Sequence, residues 1–304
     1  MIETPAGDFP TGWIRDDDAV AALVQDLPFP VAGDTPAGQV EEIPDHVYLW
    51  DFARKVTGGL IPPRNQGQVG SCVSFGTCRA IEYSMCAEIA AGEPEEFLAL
   101  ATEVVYAGSR VEIGGGRLRG DGSVGAWAAD WCRKYGIMGR LVYHTPKAVY
   151  DLTKYSEARA REWGKSGVPD DLEPTAKAHP TKQTTQVRNW VEAKKMLANG
   201  YGISVCSDQG FSMKRDANGV AAASGSWAHC MCLCGYTVIN GKEYGRIDNS
   251  WGADAHTGPT GPGAPGPEGF WADSVVINRM LGQGDSWAFS AVDGFPARKL
   301  RWYV

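Results

Sequence analysis

Gln66-Gly-Gln-Val-Gly-Ser-Cys72-Val-Ser-Phe75 changes character at one residue. Up to Ser71 the chain reads as loop, with Gly67 and Gly70 following Pro62-Pro63, which forbid helix just upstream. From Cys72 onward Phe75, Cys78, Ile81, Glu82, Met85 and Ile89 recur at three- and four-residue steps, and Gly92 follows as a stop. That spacing predicts a mostly buried helix over 72–91. A cysteine where a Gly-rich loop becomes a helix sits at the positive end of the helix dipole, which lowers its pKa and favours the nucleophilic thiolate. Its own N–H and a nearby side-chain amide together suit an oxyanion. On this segment alone, Cys72 reads equally as a nucleophile or as a small buried residue opening a core helix.

Two downstream segments bear on that choice. In Trp227-Ala-His229-Cys-Met-Cys-Leu-Cys234-Gly, a histidine enters an apolar strand, where by itself it reads more readily as a satisfied core or edge residue than as a catalyst. In Ile247-Asp-Asn249-Ser-Trp251-Gly252, a turn closes a strand. His229, Cys230, Cys232 and Cys234 also look ligand-rich. On a strand, however, residues 230, 232 and 234 share one face about 6.6 Å apart while His229 faces the other way. Thiolates on one zinc converge at about 2.3 Å from the metal. The cysteines therefore read as small core residues, as do Cys132 and Cys206. No metal and no cofactor is expected, and His229 is expected to face a cleft.

Taken together and in order, Gln66, Gly-Ser-Cys72 and helix, Ala-His229 and strand, and strand-Asn249-Ser-Trp-Gly resemble the papain (C1) family of cysteine peptidases, in a divergent form of bacterial or phage type. Gln66 stands six positions before Cys72, as in that family. Asp121-Gly122-Ser123, followed by a helix ending at Tyr135-Gly136-Ile137, resembles its substrate-binding glycine segment. The resemblance covers roughly 43–292. It implies a two-lobe α+β fold, with a helical lobe whose central helix starts at Cys72 and an antiparallel β lobe. It implies Cys72 as nucleophile, His229 as base and then acid, Asn249 as the residue orienting the imidazole, and Gln66 with the Cys72 N–H as oxyanion hole. Trp251 resembles the ring that shields the Asn–His hydrogen bond. The backbone of Gly122 is expected to pair with substrate like an added strand, with Ser123, Val124, Trp227 and Ala228 nearby in the substrate site. The implied partner is a peptide or protein substrate. Two positions depart from the family: Val69 replaces a disulfide cysteine, and Val73 replaces a tryptophan.

The implied activity is peptide-bond hydrolysis through a thioester, as an endopeptidase. A catalytically idle scaffold, for example in a virus particle, keeps the fold without the chemistry. A transpeptidase or peptidoglycan-directed hydrolase keeps the triad and changes the acceptor or the substrate.

Composition sets the remaining bounds. The 304 residues suit one large domain or two packed lobes, and 43% hydrophobic with 21% charged residues is ordinary for a globular chain. No run of about 18 apolar residues exists, so no membrane span is expected, and a basic stripe for nucleic acid is lacking. Residues 1–42 hold nine acids and one base, a charge of −8 against −7 for the whole chain. Broken by Pro28, Pro30 and Pro36, this segment reads as an acidic extension, solvated or loosely docked, with one possible helical turn at 18–25. An arm covering the cleft is one role for it. The peptidase domain is expected over 43–304, mainly helical over 64–186 and mainly β over 187–304. The N-terminus has no basic start followed by an apolar run. With eight cysteines read as thiols, a cytoplasmic or virion-associated location is expected. Residues 43–71 read as extended chain and loop. Further helices are expected at 94–106, 124–135 and 187–197, with mixed helix and loop over 144–185. Strands are expected at 202–207, 229–238, 244–249, 269–276 and 287–292. The Pro/Gly-rich stretch 256–269, four Pro and five Gly, reads as a surface loop near the cleft mouth.

Overall fold

The computed structural model describes residues 9–93, 96–179, 181–291, 294–298 and 300. The helices are α1 Asp17–Asp26, α2 Leu49–Thr57, α3 Cys72–Ala91, α4 Thr102–Gly108, α5 Gly125–Lys134, α6 Glu157–Ser166, α7 Glu173–Lys177, α8 Trp190–Ala198 and α9 Ser274–Leu281. The strands are β1 Val47–Tyr48, β2 Val142–His144, β3 Val149–Asp151, β4 Gln183–Gln186, β5 Ile203–Arg215, β6 Ala221–Ile239, β7 Lys242–Asp248, β8 Gly269–Asp273 and β9 Ser286–Ser290. One antiparallel sheet runs β4-β9-β5-β6-β7-β8, with β1 also paired to β6, while β2 and β3 form a separate hairpin. Helices thus dominate before the long β5–β6 hairpin and strands after it, the α+β arrangement expected.

Helix α3 is the axis of the molecule. It is buried from Cys72 through Glu88 and ends at Gly92, which adopts φ +98°. A helix buried on all sides lies within the core rather than on the surface. At Gly76 its backbone comes so close to β6 that an added Cβ would lie 2.9 Å from the Cys230 Sγ. The charges that α3 carries inward are paired. Glu82 is fully buried and accepts from Arg64 and from the Leu100 N–H at 2.8 Å, with Arg79 Nη1 3.7 Å away.

Several elements depart from the sequence reading. The segment 43–71 holds α2, because Leu49, Trp50, Phe52 and Ala53 turn one face into the core and the helix ends at Gly58, φ +80°, before the prolines act. The helix expected over 94–106 is confined to α4, with 94 and 95 outside the described residues. The chain just before α4 spends its amides elsewhere: Leu100 N–H on Glu82 and Ala101 N–H on the Met138 carbonyl. Strands β5 and β6 run far past 207 and begin before 229. Between them Asp216 Oδ1 accepts from the Asn218 and Val220 amides and Gly219 takes φ +80°, a tight turn the reading missed. Strand β8 stops at Asp273, whose carboxylate accepts from the Val275 N–H and caps α9. Position 292 of the last expected strand lies outside the described residues.

The N-terminal segment from residue 9 is docked rather than solvated. Asp16 caps α1, and Leu23, Leu27, Ala32 and Ala37 are buried. Its positions 1–8 lie outside the described residues. Stretch 256–269 is also more than a surface loop. The Arg215 guanidinium donates to the carbonyls of His256, Gly258, Pro267 and Gly269 and ties both ends of the stretch to β5.

Removing one partner of a buried ion pair strands the other and costs about 3–5 kcal/mol. Glu82→Ala is therefore expected to lower unfolding stability by that order in urea titrations. A loss below ~1 kcal/mol would show that Arg64 and Arg79 find water instead.

Candidate active site

The site forms where the N-terminus of α3 meets β6. Cys72, the first residue of α3, is fully buried, and its thiol lies against the backbone of Cys230, the residue after His229. His229, also fully buried, brings Nε2 to 2.9 Å from Asn249 Oδ1, just beyond the end of β7. The Asn249 oxygen also accepts from the Ser250 N–H at 2.7 Å. Trp251 stacks on the imidazole, centroids 4.4 Å apart and planes at 30°, and Trp227 meets Trp251 edge-on at 4.8 Å. This apolar roof keeps water from the His–Asn hydrogen bond, which strengthens it.

Gln66 reaches the same place. Its Oε1 accepts from the Ser250 hydroxyl at 2.6 Å, which turns Nε2 to donate to the Val69 carbonyl at 2.9 Å and the Pro10 carbonyl at 3.1 Å. Pro10 belongs to the N-terminal segment, and its carbonyl also accepts from Trp251 Nε1 at 3.0 Å, while Phe9 stacks on Trp251 at 4.9 Å. The next residues pair as a short strand: Gly12 N–H and Trp13 N–H donate to the Ala228 carbonyl, Ser123 N–H donates to the Gly12 carbonyl, and Ile14 N–H donates to the Ser123 carbonyl. The Trp13 side chain is buried, and its Nε1 donates at 2.8 Å to Asp285 Oδ2. Residues 9–14 therefore occupy the cleft.

Cys72, His229, Asn249, Gln66, Trp227, Ala228, Ser123 and Trp251 thus converge, and Val124 is buried just before α5. Two expectations change. The pairing backbone is that of Ser123. At Gly122, φ +109°, the carbonyl accepts from Arg110 and the N–H donates to Tyr106 Oη at 3.3 Å, so both groups already have partners and the arm pairs with Ser123 instead. The expected low thiol pKa is also absent: burial pushes the Cys72 thiol up, outweighing the nearby amides of Cys230, Val73 and Cys72 itself. Burial pushes His229 down to about 4, with the Asn249 hydrogen bond working the other way. Among the described residues its Nδ1 has no hydrogen-bond partner, so thiol and imidazole are not joined here, and burial disfavours the charged form of each.

The sequence reading missed three participants, Ser250, Asp285 and His256, whose Nε2 lies 3.1 Å from Asn249 Nδ2, and it held an arm over the cleft only as one role for residues 1–42, without naming residues 9–14. Position 256 opens the Pro/Gly stretch, so composition masked it. In place of the family's disulfide, Val69 packs with Tyr106, Ala160 and Tyr155. Cys132, Cys206, Cys230, Cys232 and Cys234 are buried, as expected of core residues. Among the described residues, no helix is long and apolar enough to cross a membrane.

A histidine that stays neutral in the fold and protonates when unfolded makes stability rise with pH between the two pKa values. For His229 that window runs from about 4 to 6.5. Wild type is expected to lose ~1.4 kcal/mol per pH unit relative to His229→Gln as pH falls through it, read from urea midpoints. A pH-independent difference would contradict the buried neutral imidazole.

Comparisons with known proteins agree with this geometry. The model of the papain family cysteine proteases matches residues 49–258. Two curated relatives, cysteine proteinases 2 and 1 of Entamoeba histolytica, are 26% and 25% identical over 74% and 66% of this chain. The aligned regions span 61% and 58% of those relatives' lengths. Among solved structures, xylellain, a cysteine protease from Xylella fastidiosa, superposes with TM-score 0.57 at 16% identity, covering 93% of this chain and 92% of that one. A digestive procathepsin L2 from the larval midgut of Tenebrio molitor gives 0.58 at 17%, covering 94% and 79%. With a family model matched across more than half its length and the fold shared by these structures, this chain belongs to the papain family of cysteine proteases.

Proposed function

We propose that the chain is a cysteine endopeptidase that cleaves peptide or protein substrates through Cys72, His229 and Asn249, and that residues 9–14 hold it latent. The carrying observation is the His229 Nε2–Asn249 Oδ1 hydrogen bond beneath Trp251, beside a cysteine at the N-terminus of a buried helix. With Nε2 committed to Asn249, Nδ1 is the nitrogen left to take a proton from the Cys72 thiol. The thiolate attacks the substrate carbonyl. The oxyanion is held by Gln66 Nε2 and the Cys72 N–H. The imidazolium protonates the departing amine, leaving a thioester that water hydrolyses.

Latency follows from the same contacts. The Pro10 carbonyl takes the Gln66 donor that the oxyanion needs, and residues 12–14 take the backbone groups of Ser123 and Ala228. A buried, dry site also disfavours separating thiol and imidazole into an ion pair. Displacing the arm admits water and substrate, and both pKa values move back toward their ordinary range. The pocket filled by Trp13 has the Asp285 carboxylate at its floor, so a substrate side chain with an N–H donor suits it.

Cys72→Ala is expected to abolish cleavage of a peptide library, a loss of about four orders of magnitude or more, and Gln66→Ala to cost about 10²–10³. Unchanged activity in Cys72→Ala would overturn the assignment, and a library cut without any preference for N–H-bearing side chains would remove the role of Asp285. Removing residues 1–14 leaves α1 and its Asp16 cap in place. It is expected to speed labelling of Cys72 by an epoxide or vinyl sulfone by about tenfold or more, equivalent to 1.4 kcal/mol of displaced contacts. An unchanged rate excludes latency. A rate no faster than free cysteine, with or without the arm, describes an idle scaffold.

A further inference from the structure

Asn249 is gripped from two sides. The oxygen and nitrogen of an amide side chain are nearly the same size, so only hydrogen-bond partners decide which end faces which neighbour. On one side the Ser250 N–H and His229 Nε2 both meet Oδ1, at 2.7 and 2.9 Å. On the other, Nδ2 meets Nε2 of His256 at 3.1 Å. An amide nitrogen only donates, so His256 Nε2 accepts here and the ring carries its proton on Nδ1.

We propose that His256 is a positioning residue for the catalytic group: its unprotonated Nε2 holds the Asn249 amide so that Oδ1 faces His229. This rests on the reading of Cys72, His229 and Asn249 given above. A protonated His256 would set N–H against N–H and drive the amide to turn over. Nδ2 of Asn249 would then face the His229 N–H that Oδ1 now accepts.

The surroundings keep His256 unprotonated. The ring is almost fully buried and packs on Phe270, centroids 4.7 Å apart. Burial, Arg215, Arg246 and His229 all disfavour an added charge and hold the imidazole at about 3, with the Met213 carbonyl working the other way. Its backbone is fixed as well: Arg215 Nη2 donates to the His256 carbonyl at 3.0 Å, and the Thr257 N–H donates to the Met213 carbonyl at 2.9 Å. The chain of support thus runs from Arg215 through the 256–269 stretch to His256, Asn249 and His229.

The test uses the full chain. His256→Phe keeps a ring but no acceptor, and His256→Gln restores an acceptor. The Phe variant is expected to lose about tenfold or more in kcat with KM little changed, to alter the His229 Nε2–H resonance in ¹⁵N-histidine NMR, and to be rescued by Gln to within about threefold of wild type. Placed on Asn249→Ala, His256→Phe is expected to cost nothing further. In wild type the NMR titration is expected to show His256 Nε2 unprotonated down to pH 5. That measurement stands even where the Phe variant does not fold. The proposal is overturned by unchanged His229 signals and kcat in His256→Phe, by a loss that persists in full on Asn249→Ala, or by protonation of His256 near pH 6. Full activity in Cys72→Ala would instead overturn the catalytic reading, while the resonances still report on positioning.

Discussion

Helix α3 crosses β6 at Gly76 with no room for a methyl group, and the candidate active site depends on that approach. It sets the N-terminus of the helix, and so Cys72, against the backbone immediately after His229. A larger residue at 76 would push the helix off the strand, opening the distance between the two groups while leaving each intact. The buried pairing of Glu82 with Arg64 and Arg79, a turn and a half along, serves the same docking by letting a charged helix enter the core.

Burial then decides the electrostatics. A helix N-terminus favours a thiolate by a fraction of a kcal/mol to about 2 kcal/mol, whereas removing both groups from water penalises their charged forms by more. With residues 9–14 seated, desolvation wins: the thiol is pushed up and the imidazole down. The arm is held mostly by backbone hydrogen bonds and two aromatic anchors, Phe9 on Trp251 and Trp13 over Asp285. These contacts are extended-chain contacts, the kind a peptide makes when it adds to an exposed edge.

The imidazole's orientation is supported in layers. Trp251 covers it, Asn249 bonds it, and His256 and the Ser250 N–H hold Asn249. Ser250 also bonds Gln66, so the amide donor and the histidine partner are aligned by adjacent residues of one turn. Arg215 reaches four carbonyls of 256–269 and makes a glycine- and proline-rich stretch part of this scaffold.

Much of this was legible in the sequence because it is local. The 3.6-residue pattern after Cys72 marked α3 from its first to its last residue, and the Gln66–Cys72 spacing with the order of His229 and Asn249 marked the fold and four residues that the structure brings together in the candidate site. Helix α2 and the long β5–β6 hairpin were less legible, since neighbouring prolines and a polar turn weighed against patterns whose confirmation lay in distant contacts. Nothing local distinguishes His256 from a loop residue, Ser123 from Gly122 as the pairing backbone, or residues 9–14 from an acidic tail. Those depend on which groups lie opposite after folding: Arg110 and Tyr106 taking both amide groups of Gly122, Asn249 presenting Nδ2 to His256, and Gln66 and Ala228 offering hydrogen bonds to the arm. The sequence by itself determined which residue types and periods were present. The tertiary structure decided which hydrogen-bonding groups were left for one another and which charges lost their water, because both are properties of enclosure by chain segments far apart in sequence.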